Sequence, residues 1–87
     1  MASARSASRL AVEAEAAVLA GHPDAAGRLE RAATAARENA IAAAVVERAA
    51  DLLRGRREAL QVHALTFARL GCDHQRRRTE ALATKPK

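Results

Sequence analysis

Twenty-five of the 87 residues are alanine, and no other feature restricts the fold as much. Alanine has the highest helix propensity and only a methyl side chain, so a chain rich in it forms helices that approach closely yet bury little area per residue. The larger apolar residues are 9 Leu, 5 Val, 1 Ile, 1 Met and 1 Phe, with no Trp or Tyr. Two prolines and four glycines fit an all-α chain, and the β-branched and aromatic runs of a sheet are missing. At this length a single small domain is expected, with a thin core that calls for support from a partner.

Turn signals divide the chain. Leu10, Ala14, Ala17 and Val18 recur on one helical face, with Glu13 and Glu15 off it, and Gly21 supplies a left-handed stop. Pro23 and Asp24 then suit a helix start. The second helix places Ala25, Leu29, Ala32, Ala33 and Ala36 on its buried face. Asn39 can end that helix, begin the next or lie within a continuous one. The third helix puts Ile41, Val45, Ala49 and Leu52 inward and Glu47, Arg48, Asp51 and Arg54 mostly outward, and Gly55 closes it. The fourth is apolar nearly all round, the pattern of a helix set between neighbours. Gly71 and Asp73 frame a short fifth. The predicted helices are 8–20, 23–37, 40–54, 56–70 and 73–83. Residues 1–8 form a disordered lead-in, 9–83 the helical-hairpin domain and 84–87 a disordered tail.

Charge and motif content narrow the function. Residues 1–50 carry six basic and six acidic side chains, whereas 51–87 carry nine and four, so the net charge of +5 belongs to the second half. The longest apolar run, Ala40 to Val46, is far short of the ~20 residues of a membrane span. The Ser- and Arg-containing N-terminus lacks the apolar segment of a secretory signal. The single cysteine, Cys72, forms no internal disulfide, and an intracellular, cytoplasmic setting is the expectation. Cys72 and His74 supply two metal ligands where zinc needs four, so no metal or cofactor is expected. No phosphate loop, nucleophile elbow or zinc-protease motif occurs, so neither catalysis nor a small-molecule substrate is expected. Arginine outnumbers lysine 13 to 2, which together with the alanine excess points to a GC-rich genome.

A shift of 34 residues superposes Gly21 on Gly55, Val12 on Val46, Glu13 on Glu47, Ala16 on Ala50, Leu19 on Leu53 and Ala25 on Ala59. Helix, glycine turn and helix at that period is the pattern of tetratricopeptide repeats. The stretches AGHPDAAGRLERAATAAR and LLRGRREALQVHALTFARLG are similar to the repeat region of large MalT/LuxR-type bacterial regulators. That resemblance implies two antiparallel hairpins plus a terminal helix, with Ala25, Leu29 and Ala32 on one ladder and Ala59, His63 and Thr66 on its counterpart. It also implies a protein–protein interaction module of a transcription-regulatory system. His63 and Thr66 stand where such repeats carry apolar residues. An unrelated four-helix bundle is the alternative architecture.

Partner contact is assigned to Arg28, Arg31, His63, Arg69 and Arg76, around a groove that takes a partner peptide or helix. His63 has a second reading as a satisfied core histidine. The rival function is a small basic nucleic-acid-associated protein using Arg54, Arg56, Arg57, Arg76, Arg77 and Arg78, weakened by the absence of stacking aromatics. Self-association into a homodimeric bundle that covers the fourth helix is a further alternative.

Overall fold

The computed structural model describes residues 4–85 and contains five α-helices and no strand among them. These are α1 (Ala4–Leu19), α2 (Ala25–Ala35), α3 (Ala40–Leu53), α4 (Leu60–Arg69, entered through a 3₁₀ turn at Arg57–Ala59) and α5 (Asp73–Thr84). Each predicted helix is present, and the terminal assignments shift. Helix is already formed at Ala4, inside the segment 1–8 read as a lead-in, and Thr84 still belongs to α5. Residues 1–3 of the lead-in and 86–87 of the tail lie outside the described residues.

Three of the four connections share one chemical device. Gly21, Gly55 and Gly71 have φ of 69°, 73° and 72°, the left-handed region in which a side chain is strained. At each, the glycine N–H and the next N–H fold back onto the last helical carbonyls. His22 N donates to Ala17 O at 2.9 Å, Arg56 N to Asp51 O at 2.8 Å and Cys72 N to Phe67 O at 2.9 Å. This pairing satisfies carbonyls that a helix end otherwise leaves open. The α2–α3 connection has no glycine and starts α3 instead. Asn39 is its N-cap, and its Oδ1 accepts the Ala42 N–H at 3.0 Å.

The core sits where α1 packs closely on both α2 and α3. Eight of the twelve residues in its main cluster are alanine, joined by Leu29, Val45, Val46 and Phe67, so close backbone approach replaces bulk. The chain is a slab of 37 × 32 × 15 Å. α5 packs chiefly on α4, and Leu60 on α4 and Thr79 and Leu82 on α5 are all at most 5% exposed.

Five inward or outward assignments change. Ala33 is exposed, because α2 turns its Ala25, Leu29, Ala32 and Ala36 edge to the core. Glu15 and Arg48, expected outside, are 2% and 0% exposed, while Leu10 and Ile41 are 38% exposed. α1 instead buries Ala7, Ala11 and Ala14, a stripe of methyl groups that lets α3 come near. α4 is not enclosed on all sides. It buries Leu60, His63 and Phe67 and leaves Val62 and Leu65 in solvent. No described helix is long and apolar enough to cross a membrane.

Candidate functional site

The most polar point of the interior is Arg48. Its Nε and Nη2 donate to the two Glu15 carboxylate oxygens at 2.6 and 2.8 Å, a forked pair between α3 and α1. Toward α5, Nη1 donates to Thr79 Oγ1 at 2.9 Å and Gln75 O at 3.3 Å, and Nη2 to Gln75 Oε1 at 2.9 Å. All five guanidinium N–H directions are thereby used. The guanidinium carbon also lies 5.0 Å from the Phe67 ring centroid, and Arg78 Nε meets Glu15 Oε1 at 3.3 Å. Among the described residues no buried side-chain N or O lacks a partner. A network this complete and sealed ties three helices together and offers no open valence to a substrate.

His63 belongs to the interior as well. It is 7% exposed, and its Nε2 lies 2.6 Å from Asp51 Oδ2 on α3. The ring joins α4 to α3, the geometry of the core-histidine reading, and it is not among the residues that line the groove described next. The other proposed contact residues separate into two regions. Arg28 and Arg31 lie on α2 and meet Asp24 at 3.8 and 3.0 Å, and Arg28 also reaches His22 at 3.3 Å. Arg69 and Arg76 lie at the α4–α5 end, where Arg69 is exposed and, among the described residues, in no ion pair.

At that end the surface opens into a groove of about 360 Å³. Leu60, Gln61, Ala64, Leu65 and Ala68 form one wall, and Arg76, Thr79, Glu80 and Ala83 the other. The α4 positions recur at three- and four-residue steps, so one face of the helix lines the groove. Leu65 is 58% exposed, and its neighbour Val62 is 62% exposed. The α5 lip is electrostatically closed on itself. Arg76 bonds both Glu80 and Asp73 at 2.9 Å, and Arg77 meets Asp73 at 3.0 Å. The hydrogen bond from Arg76 holds the Asp73 carboxyl below its ordinary range despite some desolvation. The same partners, Asp73 first, raise the Arg76 guanidinium above its own range.

The groove residues other than Arg76 were not among the contacts assigned from sequence. Their signal was the excess of apolar residues on the fourth helix, more than one buried face can use.

The six arginines of the nucleic-acid reading are not gathered into one free patch. Arg57 Nη2 donates to the carbonyl oxygens of Leu82 and Lys85, each at 2.7 Å, closing the end of α5. Arg76 and Arg77 are paired with acids on their own helix, and Arg78 with buried Glu15. Only Arg54 and Arg56 of the six are exposed and engaged by no partner among the described residues. Cys72 is half-buried at the start of α5 and His74 is exposed. Among the described residues no three His, Cys, Asp or Glu side chains gather into a metal-binding group.

Comparison with protein-family models, with curated proteins and with solved structures finds no match to this chain.

Proposed function

We propose that the chain is a non-catalytic interaction module whose α4–α5 groove receives one helix or peptide of a protein partner, within an intracellular regulatory system. The open apolar groove beside Val62 and Leu65 carries this reading. A folded surface gains by covering such side chains, and a groove between two helices matches the width of a third.

A tetratricopeptide-like stack is the architecture proposed for the module, and the buried positions support it. Ala11, Val45 and Thr79 lie 34 residues apart, as do Ala14, Arg48 and Leu82, and all six are at most 5% exposed. The odd-numbered helices thus share one register, and the groove lies where a further hairpin helix would pack. The resemblance to regulator repeats supplies the regulatory setting, and the lone cysteine suits a reducing compartment.

Calorimetric titration with a leucine-bearing amphipathic helical peptide tests the reading. Binding to the native chain and its loss in Leu65→Glu, with helicity unchanged, is the expected result. Equal binding by both proteins would place the contact elsewhere and contradict it.

A further inference from the structure

We infer that the partner helix is acidic and comes from another protein, an inference that rests on the α4–α5 groove being the binding surface. The support is charge complementarity. The groove runs from Leu60 to Ala68 along α4, about 12 Å or slightly over two helical turns. At its Leu60–Ala83 end stand Arg57, whose guanidinium meets carbonyl oxygens and, among the described residues, no carboxylate, and Lys85. At the other end Arg69 follows Ala68 and pairs with no acid among the described residues. Between these cations the acids are already engaged: Asp73 and Glu80 are held by Arg76, and Asp73 also by Arg77. Among the described residues from 54 to 85, Glu58 is the one acid in no ion pair with another described residue. An apolar floor with unbalanced positive charge at both ends matches a helix with two apolar residues a turn apart and a carboxylate beyond each.

A second copy of the chain fits less well. Docking this surface on itself brings like charges together. Another exposed apolar helix face, Val12, Ala16 and Leu19 on α1, carries Arg9 alongside Glu13 and so offers no net negative charge to a cationic rim. The occupant is therefore a helix of different composition.

The test uses two labelled synthetic helical peptides. One has two leucines a turn apart and a glutamate one turn beyond each, and the other has lysines in place of the glutamates. Fluorescence anisotropy against the full chain is expected to show the acidic peptide binding about tenfold more tightly than its lysine twin at ~50 mM salt. Raising the salt to ~500 mM should shrink that ratio. Arg69→Glu, at an exposed position with no partner to lose, should weaken the acidic peptide several-fold and leave the circular dichroism unchanged. Equal binding of the twins, or indifference to Arg69→Glu, would overturn the acidic partner while leaving the groove as a binding surface. Binding of neither peptide would overturn both. Concentration-dependent mass in light scattering, abolished by Leu65→Glu, would show a second copy as the occupant and overturn the inference.

Discussion

α3 meets α1 on one side and α5 on the other, and the two seams differ in what fills them. Toward α1 the contact is mostly methyl on methyl, with Ala7, Ala11 and Ala14 in one cluster with Ala42, Val45 and Ala49, and the Arg48–Glu15 pair lies within it. Toward α5 the backbones stay farther apart, and the long Arg48 side chain spans the gap to Gln75 and Thr79. The first seam is short-ranged and tolerates no added volume. The second depends on geometry among a few polar atoms and leaves α5 resting mainly on α4. An open groove lies between α4 and α5, beside Thr79 of the second seam. Alanine content alone therefore does not decide how closely the helices of a stack approach; the side chain at a bridging position matters too.

Removing the bridge should have the largest effect. Arg48→Ala leaves Glu15 buried without its main partner, and a loss of about 3–5 kcal/mol is expected in urea unfolding. Replacing Arg48 by Met together with Glu15 by Leu should recover most of it, since apolar isosteres remove the uncompensated charge.

A matched pair of substitutions sharpens the contrast. Ala11→Leu pushes three carbon atoms into the closed seam and should cost about 1–3 kcal/mol. Ala64→Leu adds the same atoms to the wall of the open groove and should stay within about 0.5 kcal/mol. Equal costs would erase the distinction between a closed and an open end.

An effect between those two concerns the link between α4 and α3. His63→Leu deletes the hydrogen bond to Asp51 and should lower stability by about 1 kcal/mol in thermal melts. A gain would instead show that the buried pair is a strained compromise.

The contrast also marks what was legible in the sequence. Glycines at 21, 55 and 71 announced three helix ends because positive φ leaves few alternatives to glycine, whereas Asn39 read equally as an end, a start or a continuation and only the structure shows it as the N-cap of α3. The face of α2 was nearly right because Leu29 fixes its phase. On α1 and α3 the assigned faces held at Ala14, Ala17, Val45 and Ala49 and failed at Leu10 and Ile41, which are exposed, and at Glu15 and Arg48, charges assumed to be outside, because alanine reads the same on either face and leaves the phase loosely fixed. Glu15 and Arg48 are partners across 33 residues, and no local spacing reveals such a pair. The 34-residue register held one clue, since it sets Arg48 in a column with Ala14 and Leu82. The groove was half legible, in the surplus of apolar residues on the fourth helix. Its location required knowing which flank α5 would cover.

Residue-by-residue amide hydrogen exchange under native conditions tests the two-seam account most directly, because it reads the opening free energy of each helix separately. The account predicts that the amides of α5 exchange through a sub-global opening that leaves α1, α2 and α3 protected. Exchange of all five helices through one common global opening would contradict it.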